Sequence, residues 1–186
     1  MAKSLQEYFE ALSDPRKASG LRHPLGPFLV MSTMAIMSGY TGFRELGSFM
    51  EANQEYFIER FKLKHGVPKF VQIRTIFSVL DFHQINQAFN SWAEQFMPTE
   101  PGHWVSGDGK GLSSTVTDMH GSKQDFVLMV SLFCQKSGVV LKTQRKNNAK
   151  GGEIPALNEL LEQLQDRGMI ITLDALHCKK NSSHNR

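Results

Sequence analysis

The chain has 186 residues, and 40% of them are hydrophobic, which is enough for a real core in one medium-sized domain or two small ones. Its 21 Lys and Arg residues against 18 Asp and Glu residues give a formal net charge of +3, a mildly basic balance that does not by itself prove nucleic-acid binding. Cys134 and Cys178 are the only cysteines, which argues against a disulfide framework and fits a reducing cytoplasm.

Neither a secretion signal nor a membrane span is expected. Residues 1–4 lead into an amphipathic segment instead of an apolar core with a cleavage site. The most apolar stretch, residues 25–37, is interrupted by Pro27, Ser32 and Thr33 and is shorter than the ~20 residues that a bilayer span needs. We interpret this stretch as a buried helix and expect no membrane partner.

Residues 1–97 are predicted to form a helical domain. Leu5, Phe9 and Leu12 recur at helical spacing, and Asp14-Pro15-Arg16 ends this first helix because the residue before a proline avoids the helical conformation. Arg22 and His23, near the start of the next helix, are interpreted as capping or surface residues. The further helices are predicted at about 25–39, 43–52, 55–61, 70–80 and 83–96.

Residues 98–103, which contain two prolines and a glycine, are predicted to be a linker. The pattern then changes to that of an α/β layer over residues 104–186. Strands are predicted at 104–107, 126–134, 139–142 and 169–173, with an amphipathic helix between the last two that has Pro155 in its first turn and Gly168 after its end. A helix that crosses over to a further strand is typical of an α/β fold.

Asp108 and Asp174 each follow a short apolar run, where a strand is predicted to stop. The intervening hairpin and helix are those needed to place the two strands side by side. Two adjacent carboxylates repel each other, and a hard divalent cation relieves that repulsion, so the pair is predicted to bind Mg²⁺ or Mn²⁺ in part of a phosphoryl-transfer site. Gly107 and Gly109, on either side of Asp108, allow the backbone to turn sharply there. Two alternatives to the metal site remain open, because Asp-Gly is a common turn and an Asp after a strand often caps a helix.

Basic residues near these aspartates are candidates for contacts to DNA phosphates. Lys110 is two residues from Asp108, and a local basic run contains Lys142, Arg145, Lys146 and Lys150. Affinity from such contacts falls steeply with salt. The alternative is that these side chains lie in a solvated turn and a solvated loop. His177 and Cys178 lack the second pair of ligands that a zinc site requires.

In a set of short segments the chain resembles the H-repeat-associated group of DDE insertion-sequence transposases. The ordered set spans nearly the whole sequence, although no single motif is specific. The matching segments are Asp14-Pro15-Arg16, His23-Pro24-Leu25, Gly66-Val67-Pro68, Gly107-Asp108-Gly109-Lys110, Glu153-Ile154-Pro155-Ala156-Leu157, and Thr172-Leu173-Asp174-Ala175 with Cys178 and Lys179.

The resemblance implies a helical N-terminal domain followed by a ribonuclease H-like α/β domain that is incomplete in this chain. It implies metal-dependent cutting and joining of DNA at transposon ends, with Asp108 and Asp174 in the positions of the first two acidic ligands. The third acid of the family is a Glu further downstream, so the chain is expected to be a C-terminally truncated transposase, inactive alone and prone to self-association.

Two further hypotheses compete with this one. In the first, the chain is a non-catalytic DNA-binding or regulatory fragment that acts through the helical domain. In the second, it is an unrelated α/β domain in which Asp108 and Asp174 are merely turn and cap residues.

Overall fold

A computed structural model describes residues 2–96, 101–117, 125–147, 153–164 and 168–173. The chain divides into two compact units, Met1–Trp92 and Ala93–Arg186. The described residues form seven α-helices and one four-stranded mixed sheet, which confirms the predicted mixed α/β class. Asp174, Lys150, His177, Cys178 and residues 98–100 of the predicted linker lie outside the described residues.

The first unit is helical, as predicted. Its final helix was expected to reach residue 96, but it ends as an α-helix at Ala93, and the short 3₁₀ helix that follows, Glu94–Phe96, belongs to the second unit. The bounds are α1 Leu5–Glu10, α2 Leu25–Met37, α3 Phe43–Ala52, α4 Gln54–Phe61, α5 Phe70–Val79 and α6 Phe82–Ala93, with a 3₁₀ turn at Ala18–Gly20.

Side chains satisfy free backbone N–H groups where several of these helices begin. At α1 the Ser4 hydroxyl accepts from the Glu7 amide while the Glu7 carboxylate accepts from the Ser4 amide. The Glu45 carboxylate accepts from the Gly42 amide at 2.9 Å at the start of α3, and the Gln72 amide oxygen accepts from the Lys69 amide at 2.8 Å at the start of α5. The cap at α1 is reciprocal, and all three caps define helix starts from local sequence alone.

The core of the first unit contains side chains from all six helices, and those with the least exposure come from α2, α3, α4 and α5. Phe28 of α2 is fully buried, and its ring lies 5.1 Å from that of Phe77, between centroids. The fully buried members of this core include Phe28, Met31, Met50, Phe57 and Ile73.

A buried ion pair fixes the segment between α1 and α2. The Arg16 guanidinium donates to both carboxylate oxygens of Asp14, with Nε to Oδ1 at 2.8 Å, and also to the His23 carbonyl oxygen at 2.8 Å. The Arg16 side chain is only 7% exposed. The motif that was predicted only to end a helix therefore also holds the start of the next one.

His23 itself is buried at 5% exposure, so its interpretation as a capping or surface residue is wrong, whereas Arg22 is exposed. The Nδ1 atom of His23 has no hydrogen-bond partner among the described residues. Burial lowers the pKa of His23, because the protonated ring loses its hydration, and a hydrogen bond to the Gly66 backbone opposes this shift.

This depressed pKa predicts a pH-dependent stability. In the unfolded chain a histidine has a pKa of about 6.5, so the unfolded state binds the proton more readily and the free energy of unfolding decreases as the pH falls below about 6.5. His23→Gln is expected to flatten this dependence in urea-unfolding measurements across that range. His83→Gln, at an exposed site, is the control; equal slopes for the wild type and His23→Gln would contradict the prediction.

The second unit contains the sheet, with strand order β3-β2-β1-β4. The pairs β1–β2 and β2–β3 are antiparallel, whereas β4 pairs in parallel with β1. The predicted order of strand, hairpin, helix and strand is confirmed. The bounds are β1 Trp104–Thr117, β2 Asp125–Cys134, β3 Val139–Asn147, α7 Glu153–Leu164 and β4 Ile170–Leu173.

Two predicted strand ends are wrong. β1 was expected to stop at residue 107 but continues to Thr117, and β3 was expected to stop at residue 142 but continues to Asn147. Glycine occurs inside the strand at position 107 because an added Cβ would lie 2.8 Å from Leu173 Cδ2 and 2.9 Å from Leu157 Cδ1. The glycine that suggested a turn instead lets β4 and α7 pack tightly against a continuous strand.

Helix α7 covers one face of the sheet. Ala156, Leu157 and Leu160 are buried against Val105 and Leu132, together with further apolar side chains of β2 and β3. Among the helices that the structure describes, none is both long and apolar enough to cross a lipid bilayer.

Candidate functional site

The candidate site lies where β1 and β4 run side by side. Their parallel register pairs Ser106 with Thr172 and Gly107 with Leu173. Asp108 is the next residue of β1 and its side chain is exposed. Asp174 is the next residue in sequence after Leu173 but lies outside the described residues. The predicted adjacency of the two strands is thus present, although Asp108 lies within β1, opposite Ser131 of β2, instead of at a strand end.

Alternation along β1 separates the residues of its two faces. Val105 and Gly107 point toward α7, so Ser106, Asp108 and Lys110 belong to the opposite face, which we call the distal face. On this face the Ser106 and Thr172 hydroxyl oxygens lie 2.9 Å apart, and Gln135 Nε2 donates to Ser106 Oγ at 3.0 Å. A polar surface therefore extends across β4, β1 and β2 beside Asp108.

The sheet brings two of the predicted phosphate-binding residues to the distal face. Lys110 lies opposite Met129 of β2, which in turn lies opposite Arg145 of β3, so the three residues form one row across the strands. Lys110 and Arg145 are exposed. Asp108 is two residues from Lys110 on the same face, which places one carboxylate and two cations on a common surface.

Lys142 and Lys146 belong to the other face. Lys142 is 8% exposed, and its Nζ lies 2.8 Å from Glu94 Oε1. Lys146 pairs with Glu159 of α7, and this hydrogen bond lowers the pKa of the Glu159 carboxyl. The interpretation of this region as a solvated loop is wrong for residues 142–147, because they form β3. Lys150 lies outside the described residues.

The donor chemistry of the site fits a hard cation. Asp108 offers an exposed carboxylate, and oxygen ligands are those that Mg²⁺ and Mn²⁺ prefer. No cluster of three or more His, Cys, Asp or Glu side chains that could hold a metal occurs within the described parts of the chain. Of the two predicted ligands the structure describes Asp108, on β1, whereas Asp174 is the residue that follows β4 in the sequence.

A second feature was missed from the sequence. A groove of about 480 Å³ in the first unit is lined by α3 and by the segment that leads into α5, including Arg44, His65 and Lys69. The signal was present, because residues 60–80 contain no acidic residue. The same stretch carries Arg60, Lys62, Lys64, Lys69 and Arg74.

The helical unit is similar to a transposase-associated domain. Residues 6–93 match the family described as DDE_Tnp_1-associated. The predicted resemblance to H-repeat-associated transposases is also confirmed by individual proteins that match nearly the whole chain.

Among these relatives, "Putative transposase YncI" of Escherichia coli O157:H7 is 28% identical over 179 residues, which cover 96% of this chain and 45% of the relative. Its namesake in Escherichia coli K12 is 28% identical over 96% of this chain and 71% of the relative. "H repeat-associated putative transposase YhhI" of strain K12 is 25% identical over 96% of this chain and 47% of the relative. The chain thus spans about half the length of several curated relatives that it matches. No solved structure matches it.

Proposed function

We propose that the chain is part of a transposase that acts on DNA, and that its second unit is a portion of a ribonuclease H-like domain. The observation that supports this proposal most is the parallel pairing of β1 with β4, which sets the strand that bears Asp108 beside the strand that leads to Asp174. The similarity to proteins named as transposases supplies DNA, and specifically transposon ends, as the proposed partner.

Asp108 and Asp174 are the proposed ligands of Mg²⁺ or Mn²⁺. Ser106 and Thr172 occupy equivalent positions two residues before the aspartates, and their hydroxyl groups are hydrogen-bonded at 2.9 Å. Gly107 and Leu173, the residues that directly precede the two aspartates, are paired in the parallel register of β1 and β4. When bound, the ion would activate water or a DNA 3′-hydroxyl and stabilise the leaving oxygen.

Basic residues of the second unit are the proposed contacts to the DNA backbone. Lys110 and Arg145 are the best placed, because they are exposed and share the distal face with Asp108. Lys142 and Lys146 are engaged by Glu94 and Glu159, so we assign them a secondary contribution together with Lys150. These contacts neutralise phosphates and so carry no sequence preference.

The metal-site proposal predicts a metal-dependent change in stability that requires Asp108. An ion that binds only the folded state raises the free energy of unfolding by about 2.7 kcal/mol when it is present at about 100 times its dissociation constant. We expect saturating MnCl₂ to raise the thermal midpoint of the wild-type chain, and Asp108→Asn and Asp174→Asn to remove most of that rise. Glu162→Gln, which neutralises an exposed carboxylate on α7, is the matched control and should keep it. A full rise in Asp108→Asn would exclude Asp108 as a ligand.

A nuclease assay tests the catalytic part of the proposal. We propose that these 186 residues alone do not cut DNA, because their described part brings no third carboxylate to Asp108. Metal-dependent cleavage by the purified chain that Asp108→Ala abolishes would refute this inactivity, while it would support the assignment of Asp108.

A further inference from the structure

We propose that the groove beside α3 in the helical unit binds the phosphate backbone of DNA through Arg44, His65 and Lys69. This inference rests on the proposed function, which makes DNA the partner, and it adds a second DNA-binding surface remote in sequence from Asp108. We call this surface the α3–α5 groove; it is lined by residues of α3, Gln54 and residues 65–70.

The groove presents basic side chains to solvent, as a site for a polyanion requires. Its volume is about 480 Å³, and the side chains of Arg44, His65 and Lys69 at its walls are all exposed. The buried Pro68 and the half-buried Val67 lie between His65 and Lys69 in the chain, so a short fixed segment carries these two groups. Proteins that bind single-stranded nucleic acid without reading sequence use positively charged grooves, and Lys and Arg contacts to phosphates supply non-specific binding to duplex DNA.

The charged residues of the chain segment that contributes His65 and Lys69 to the groove are all basic. Residues 60–80 include five Lys or Arg residues and His65 but no Asp or Glu. All six basic side chains are exposed, and within the described ranges none of them forms an ion pair with a carboxylate. An uncompensated basic stripe along one segment is the electrostatic footprint of a nucleic-acid surface.

A ring contact holds the Arg44 side chain in place, and a hydrogen bond holds the Lys69 backbone. The Arg44 guanidinium carbon lies 5.1 Å from the centroid of the Phe70 ring. A guanidinium that stacks on a ring still presents N–H groups at its edge, in the fork geometry that suits phosphate oxygens. The backbone of Lys69 is fixed by the 2.8 Å hydrogen bond from its amide to Gln72.

Gly47 sets the distance between α3 and α5 at the base of the groove. A Cβ at this position would lie 3.3 Å from the Phe70 backbone nitrogen and 3.6 Å from Ile73 Cδ1. The absence of a side chain therefore lets Phe70 approach α3 closely enough for Arg44 to reach its ring.

One acidic residue, Glu51, also lines the groove and gives the proposal a test in the opposite direction. A carboxylate in a phosphate-binding groove repels the ligand, so its neutralisation should strengthen binding. A groove that bound a cationic or neutral ligand would show no such gain for DNA.

The test measures binding of the full chain to two labelled duplexes of unrelated sequence over a series of salt concentrations. Lys69→Ala is expected to weaken binding to both duplexes equally and to reduce the slope of log affinity against log salt by about 0.9. Arg44→Ala/Lys69→Ala should reduce the slope by about 1.8, and Glu51→Gln should raise the affinity of both duplexes. Lys17→Ala removes one exposed charge outside the groove and is the matched control, expected to change affinity less than twofold.

The outcomes separate this inference from the proposed function. If Lys110→Ala/Arg145→Ala weakens binding but the groove variants behave like the wild type, the groove assignment is wrong and the proposed function stands. If the groove variants weaken binding while the metal response of Asp108→Asn equals that of the wild type, the groove stands and the metal site fails. Equal losses in Lys17→Ala and Lys69→Ala would overturn the groove, and so would the absence of DNA binding at low salt. If Arg44→Ala lowers the thermal midpoint, partial unfolding would also explain its weaker binding. Glu51→Gln then tests the groove, because unfolding does not explain a gain in affinity.

Discussion

Arg16→Ala is expected to destabilise the helical unit by about 2–4 kcal/mol. Loss of one partner from a fully buried ion pair costs about 3–5 kcal/mol, because the remaining charge is left without compensation. The lower range applies here because the Asp14 side chain keeps 22% of its exposure and can be partly hydrated. The substitution also removes the 2.8 Å hydrogen bond to the His23 carbonyl, which ties the loop to the start of α2.

Urea unfolding followed by circular dichroism measures this effect. Arg22→Ala is the control, since Arg22 is an exposed neighbour, and it should stay within about 0.5 kcal/mol of the wild type. Arg16→Lys should remain well below the wild type, because an ammonium group cannot reproduce the planar fork that grips both Asp14 oxygens. A loss for Arg16→Ala no larger than that for Arg22→Ala would contradict the assigned role.

Leu157→Ala is expected to destabilise the second unit by about 2–5 kcal/mol. Leu157 is 2% exposed and belongs to the face of α7 that covers the sheet. Truncation removes its transfer free energy and leaves a cavity above Gly107, which the rigid strand cannot fill. Glu162→Ala, on the exposed side of α7, is the control for changes in helix propensity. The measurement is the free energy of unfolding from urea titrations, and a loss below that range would mean that α7 packs loosely.

The contact between Leu157 and Gly107 predicts non-additive stability. Gly107→Ala alone adds a methyl group 2.9 Å from Leu157 Cδ1 and is expected to cost about 1–3 kcal/mol by overpacking. In the Leu157→Ala background the same methyl group enters vacated space, although Leu173 Cδ2 remains 2.8 Å away. We therefore expect the double mutant to lose about 0.5–3 kcal/mol less stability than the sum of the two single losses. Additive losses would show that the two side-chain sites do not share a cavity.

The helical unit could be predicted well from the sequence because its signals are local. Pro24 precedes α2 directly, Pro68 lies two residues before α5, and Glu45 and Gln72 cap the starts of α3 and α5 three residues away in sequence. Such interactions act within one turn, so a single segment contains them in full. The burial of His23 could not be predicted, because it depends on contacts with the Gly66 region far along the chain.

The strands of the sheet were harder to predict, because their bounds and faces depend on contacts between residues far apart in sequence. Gly107 and Gly109 suggested a turn, and only the approach of α7 and β4 shows why glycine continues the strand at Gly107. The basic residues of β3 were grouped because they are close in sequence, but neighbours in a strand face opposite sides, so Arg145 and Lys146 separate onto two faces. The pairing of β1 with β4 could be predicted because the crossover helix between parallel strands leaves few topologies.

The position of β4 has a consequence for the order in which the second unit folds. Its hydroxyl contact, Ser106 with Thr172, joins residues 66 apart, whereas β1, β2 and β3 meet through hairpins between consecutive strands. Closing a long loop costs more chain entropy than forming a hairpin, so non-local pairings form late. We therefore expect the three-stranded meander to form first and β4 to dock last. Any chemistry that needs residues of both β1 and β4 would become available only when this final folding step is complete.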